Sequence, residues 1–138
     1  MKDYIAIFSP GKSGESAERL VEDAMECLDG FGDQFNAENP DGMDEFLHFP
    51  HYLLSGNALI EWKTRGQLPK HFFNDLKKQG WKRTVTRSRE VVLVSPDKVH
   101  VKVKYTRERA DGTIISEHDN LWIIVRRDNQ WGIVLRSY

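Results

Sequence analysis

Val99-His100-Val101-Lys102-Val103-Lys104-Tyr105-Thr106 decides the fold. Apolar and polar residues alternate along it with a period of two. In a strand, successive side chains leave opposite faces, so this alternation describes a strand buried on one face and wetted on the other. Working outward, Pro96-Asp97 is a turn signal on one side and Asp111-Gly112 is a hairpin signal on the other. Residues 81–95 read as a long strand before the first turn. Ile114 to Arg127 reads as the strand after the second, Asp128-Asn129 turns it, and Gln130 to Arg136 returns. Four strands joined by tight turns form an antiparallel meander.

Upstream of the meander the period changes to that of a helix. Ala17, Leu20, Val21, Ala24, Leu28, Phe31 and Phe35 form one apolar stripe. Ser13 or Ser16 is placed to cap this helix, and Glu15 and Glu18 complement its dipole. Gly30 and Gly32 weaken its last turns and let another part of the chain come close. The helix is expected to end near Asn36. Asn39-Pro40 opens a second, short helix carrying Met43, Phe46 and Leu47, which must stop before Pro50. His51 to Leu54 and Ala58 to Lys63 read as two short strands around Ser55-Gly56-Asn57. Pro69 starts a third helix, with Leu68, Phe72, Phe73 and Leu76 as its buried stripe and Gly80 as its stop. Residues 1–14 read as a flexible lead-in.

The expected order is therefore α-α-β-β-α-β-β-β-β in one α+β domain spanning 1–138. A curved antiparallel sheet wraps around the N-terminal helices. A strongly bent sheet closed by helices leaves a tapered cavity, where a small ligand would bind.

Composition bounds the function. The chain has 138 residues and a formal net charge of −1. A chain of this size buries roughly 68–70% of its extended surface, so it needs no disulfide or metal to fold. The single Cys27 cannot form an internal disulfide, which favours a reducing, cytoplasmic setting. No apolar run is long enough for a membrane span, and no signal-peptide pattern opens the chain. Residues 1–61 hold 13 acidic against 3 basic groups, whereas residues 62–109 hold 14 basic against 4 acidic. The opposite charges are expected to meet within one fold. Overall neutrality argues against a nucleic-acid partner.

Several stretches together look familiar: Phe35-Asn36-Ala37 before Asp41-Gly42, Phe49-Pro50-His51, Gly80-Trp81, Trp131-Gly132-Ile133, and the final Arg136-Ser137. With the element order, they resemble the nuclear transport factor 2-like superfamily over about residues 15–138. That superfamily comprises cone-shaped α+β barrels and includes SnoaL-like cyclases and ketosteroid isomerase. The resemblance implies the scaffold and a pocket. It does not choose among isomerase, cyclase, dehydratase and binding roles. The isomerase branch places a catalytic carboxylate near the end of the first strand, where this chain has Tyr52-Leu53-Leu54-Ser55-Gly56. It also uses a Tyr in the first helix, where this chain has Phe31 and Phe35. Asp119 is only a loose match to the branch's protonated Asp. A ketosteroid isomerase mechanism therefore does not carry over. The cyclase and dehydratase branches use an Asp/His pair, for which His118 with Asp41 or Asp119 is the match here.

The expectation is a domain that holds a small, partly apolar organic ligand, with Tyr52, Trp62, Tyr105, Arg107 and Trp122 lining the pocket. The alternatives are a cofactor-independent enzyme with His118 or His51 as acid/base, and an interaction module whose pocket is filled by its own side chains. An Arg beside an apolar wall can orient a carboxylate; Arg107, Arg109 and Arg136 are placed for this, and alternation puts Arg136 on the face of Val134 and Tyr138. Pro10-Gly11-Lys12-Ser13 echoes a phosphate loop but lacks the earlier Gly, since position 6 is Ala6. His48 and His51 straddle Pro50 with no Cys or carboxylate cluster, so no metal is expected, and no cofactor. Cys27 lies beside Asp23 and Glu26 and reads as a structural thiol. Around Trp122 both faces of the strand are apolar, one toward the cavity and the other toward a second copy, a homodimer through the sheet.

Overall fold

The computed structural model describes residues 4–8 and 14–138. In chain order these form α1 (Tyr4–Phe8), α2 (Ala17–Asn36), α3 (Pro40–Asp44), β1 (Leu47–Ser55), β2 (Ala58–Trp62), α4 (Phe72–Lys78), β3 (Arg83–Ser95), β4 (Lys98–Glu108), β5 (Ile114–Arg127) and β6 (Gln130–Ser137). Helix α1 falls within the expected lead-in. The rest of the lead-in up to Ser13, with the phosphate-loop echo at 10–13, lies outside the described residues.

The six strands make one sheet in the order β2-β1-β6-β5-β4-β3. The meander of β3 to β6 is antiparallel throughout, with Asp128 and Asn129 both at positive φ in the last tight turn. The sheet as a whole is mixed, because β6 returns parallel to β1. No tight turn joins those two strands; everything from β2 to β5 intervenes, so nothing local forces them antiparallel.

Helix α2 lies across the concave face. Ser16 caps it, its side chain accepting from Arg19 N–H at 3.2 Å. Leu20, Ala24, Cys27, Leu28 and Phe31 are buried beneath it. Each large side chain there gains about 1.5–3 kcal/mol over exposure. They meet Val99, Val101, Val103 and Tyr105 of β4, Trp122 and Ile124 of β5, and Ile133 of β6 in one core. At Gly30 a Cβ would stand 2.2 Å from the Phe46 ring, so that ring occupies the space left by the missing side chain. The Asn36 side chain accepts from Thr84 N–H at 2.8 Å and donates to Thr84 C=O at 3.0 Å, tying the end of α2 to β3 as a neighbouring strand would.

Asn39 caps α3 by accepting from Gly42 N–H at 3.3 Å. This helix is shorter than the sequence reading, and β1 begins at Leu47 rather than His51. The edge of β6 is the reason: Ile133 N–H donates to Phe46 C=O at 2.8 Å, which draws this stretch into the sheet. Helix α4 begins at Phe72, one turn after Pro69, and Gly80 ends it at φ +93°.

The acidic N-terminal part and the basic middle do meet. Arg89 pairs with Asp29 at 2.7 Å, Arg65 with Glu45 at 2.8 Å, and Lys77 with Glu38.

Candidate functional site

Between α2 and the concave face of the sheet lies a cavity of about 1030 Å³ that opens to solvent. Its apolar walls come from Phe31 and Phe35 on α2, Leu53 on β1, Trp62 on β2, and Val103 and Trp122 from the meander. Its polar groups converge from β4, β5 and β6: Tyr105, Arg107, His118, Arg136 and the terminal Tyr138. Of the pocket residues read from sequence, Trp62, Tyr105, Arg107 and Trp122 line the cavity, as does His118. Tyr52 does not. His51, Leu53 and Ser55 have the inward parity on β1, so Tyr52 faces outward, and its hydroxyl donates to Glu61 on β2 at 3.0 Å. Arg109 is also elsewhere, beside Thr113 in the hairpin that follows β4.

His51 is 0% exposed and lies behind the cavity wall. Its Nδ1 is 2.9 Å from Ile133 C=O, which can only accept, so Nδ1 carries the proton and donates. Nε2 is then the acceptor for Arg136 Nε at 3.1 Å. Burial, and then the Arg136 charge, push the imidazole pKa down to about 3. Both ring nitrogens are thus occupied. His51 is a neutral support for Arg136 rather than a group free to exchange protons with a ligand.

Of the two residues that alternation groups with Arg136, Tyr138 lines the cavity beside it and Val134 does not. On β5, Ile123 and Ile124 are neighbours, but their partners on β6 are Leu135 and Ile133. Val134 is therefore the extra residue of a β-bulge. The bulge shifts the parity, so Arg136 joins Ile133 on the inner face and pairs with Trp122. Gly132 lies two residues before the bulge and has its own reason, since a Cβ there would stand 2.7 Å from the His48 ring. Arg136 is 6% exposed, and its guanidinium carbon lies 5.1 Å from the centre of Phe31, 5.7 Å from Trp62 and 5.8 Å from Trp122. Among the described residues it forms no ion pair with a carboxylate. Arg89 differs, since Asp29 answers its charge.

His118 stacks on Tyr105, ring centres 4.6 Å apart and 17° from parallel, and its Nε2 shares a 2.8 Å hydrogen bond with Ser116 Oγ. Burial and then Arg107 lower its pKa, which keeps the ring neutral. Burial pushes the Tyr105 hydroxyl up to about 12, against the opposing pull of Arg107 and Arg136. The arrangement can donate hydrogen bonds and present positive charge inside an apolar hollow.

The remaining motifs are tied into the scaffold. His48 Nε2 lies 2.9 Å from Val125 C=O and 3.0 Å from Gln130 C=O. Cys27 is buried with its Sγ donating toward Phe46 C=O, and burial rather than its acidic neighbours is the main reason its pKa rises to about 12. Among the described residues no group of three or more His, Cys, Asp or Glu could hold a metal ion, and no helix is long and apolar enough to cross a membrane.

Residues 21–136 match the model of the family described as NTF2-like protein (DUF6841). No curated protein matches the sequence. Among solved structures, a protein of unknown function with a cystatin-like fold from Nostoc punctiforme is similar at TM-score 0.65 and 12% identity, over 85% of this chain and 87% of that one. An NTF2-like protein with a cystatin-like fold from Novosphingobium aromaticivorans matches at TM-score 0.63 and 18% identity, over 99% and 89%. A function-unknown protein from Mycobacterium tuberculosis matches at TM-score 0.63 and 16% identity, over 92% and 76%. At these identities the likeness is one of fold.

Proposed function

The chain belongs to the NTF2-like protein family, and on that premise we propose that it is a binding protein for a small, partly apolar organic molecule held between α2 and the concave sheet. The observation that carries this reading is the cavity itself. About 1030 Å³ of open space with aromatic walls and a few convergent polar groups is the form of a small-molecule site. An interaction module with a pocket filled by its own side chains would have no such hollow. Trp62, Tyr105, Arg107, His118 and Trp122 are the proposed contacts, in the cytoplasm and without a cofactor.

The test uses 2-naphthylacetamide, a neutral aromatic probe of suitable size, followed by NMR of the tryptophan side chains and the amide backbone. The reading expects saturable shifts at Trp62, Trp122 and His118, abolished when Val103→Trp fills the cavity. Shifts confined to the outer face of the sheet, or none at millimolar probe, would refute it.

A second reading is an enzyme that uses His118 as acid/base, favoured by its position on the cavity wall with Ser116 and Tyr105 beside it. Its test is turnover of a panel of carbonyl substrates by the wild type and by His118→Ala. Equal rates in the two would remove His118 from the role.

A second copy is the proposed partner, packed on the half-buried outer row of Leu121, Ile123 and Leu135.

A further inference from the structure

We infer that the ligand of this cavity carries a carboxylate and that the Arg136 guanidinium receives it; the inference rests on the small-molecule reading above. Four observations lead to it. The first is an unanswered charge. Arg136 is 6% exposed as a residue, and a charge so largely withdrawn from water is costly unless something answers it. Here the surrounding groups are three aromatic rings and a neutral imidazole. The ring faces offset part of that cost and supply no acceptor for an N–H donor.

The second is how the guanidinium is held. His51 takes only Nε, and the Ile133 carbonyl fixes the imidazole in the tautomer that accepts. Both Nη groups keep their N–H donors without a protein acceptor among the described residues. A side chain fixed through Nε with both Nη groups unengaged presents the planar fork that matches a carboxylate.

The third is a surplus of donors. Trp122 Nε1 and Arg107 Nε, both on residues that line the cavity, are buried without a partner. An acceptor on a bound molecule would satisfy both of these donors.

The fourth is the placing of the protein's own carboxylates. Asp29 and Asp33 border the cavity from α2, but Asp29 is engaged by Arg89 at 2.7 Å and Asp33 is exposed. The aromatic walls would take the apolar body of the same molecule, so the class is a small aromatic or branched aliphatic acid.

The test compares 2-naphthylacetate with 2-naphthylacetamide by isothermal titration calorimetry. The two share a body and differ in charge. In the wild type the acid should bind about 10–100-fold tighter than the amide, the range of a charge-assisted pair in a desolvated site. In Arg136→Met that ratio should collapse to near one, with the acid losing far more affinity than the amide. Arg136→Lys should restore only part of it, because an ammonium lacks the fork. Equal wild-type affinities for acid and amide would overturn the inference and leave the cavity reading standing. Binding of neither would remove both. A preference for acid that survives in a folded Arg136→Met would mean that another group holds the anion. The wild-type ratio needs no variant, so a variant that fails to fold does not shield the inference.

Discussion

Gly30 and Gly32 occupy the same helix two residues apart, and replacing each with Ala should move stability in opposite directions. Intrinsic propensity treats them alike: Ala for Gly inside a helix is worth about 0.8–1 kcal/mol. Their surroundings differ. A Cβ at Gly32 meets nothing within 4 Å, so Gly32→Ala should stabilise by about 1 kcal/mol. A Cβ at Gly30 would lie 2.2 Å and 2.3 Å from two carbons of the Phe46 ring. Carbon atoms rest at roughly 3.5–4.0 Å, so the ring must move by more than about 1 Å in a packed region. Overpacking of that kind costs about 1–3 kcal/mol, which exceeds the propensity gain. Gly30→Ala should therefore lose about 1 kcal/mol and stand some 1–3 kcal/mol below Gly32→Ala. Urea unfolding followed by far-UV circular dichroism measures both. A second arm uses Phe46→Leu, in which the ring is gone. In that background Gly30→Ala should become neutral or stabilising, a coupling of about 1–2 kcal/mol in the double-mutant cycle. Equal stabilisation by the two alanines in the wild type would refute the account of Gly30 as a seat for Phe46.

Four further outcomes are expected. His51 titrates at about 3 when folded and near 6.5 when unfolded, so its contribution is complete above pH 6.5 and declines as pH falls toward 3; urea titrations from pH 7 to 4 should show a slope approaching about 1.4 kcal/mol per pH unit that His51→Gln reduces. The Cys27 thiol should react with a disulfide reagent at pH 8 far more slowly in the native protein than in denaturant, because burial holds its pKa near 12; equal rates would contradict its burial. Ser16→Ala should cost about 1 kcal/mol through loss of the α2 cap, read by the same urea titration. Ile123→Glu, on the outer face of β5, should shift sedimentation toward the monomer if a second copy covers that face; an unchanged profile would remove it from the interface.

The sequence made some features readable and hid others for physical reasons. The alternation at Val99 to Tyr105 gives β4 and its buried face directly, because a half-buried strand leaves a period of two in its own residues. The caps of α2 and α3 are local too, with Ser16 and Asn39 each bonding three residues ahead. What was hidden depends on distant partners. The start of β1 at Leu47 is set by Ile133, and no pattern near Leu47 announces it. The four residues His51 to Leu54 do not by themselves say which parity faces inward, so Tyr52 and Trp62 looked equivalent although they leave opposite faces of the sheet. His51 carried no sign that both its nitrogens would be occupied. The chemistry of Arg136 is legible in its residue type, but the role that distinguishes it depends on an irregularity in β6 and on three rings from α2, β2 and β5.

That irregularity has a bearing on how relatives should be compared. In a regular strand, odd and even positions identify the inner side throughout. Here the count restarts after Val134, so Arg136 is located by the residue it pairs with, Trp122, and not by its column among aligned sequences. At 12–18% identity, one gap slid past the C-terminal strand would transfer the guanidinium to the wrong surface. An equivalent cation in another member is best sought opposite the tryptophan's counterpart, whatever letter the alignment offers.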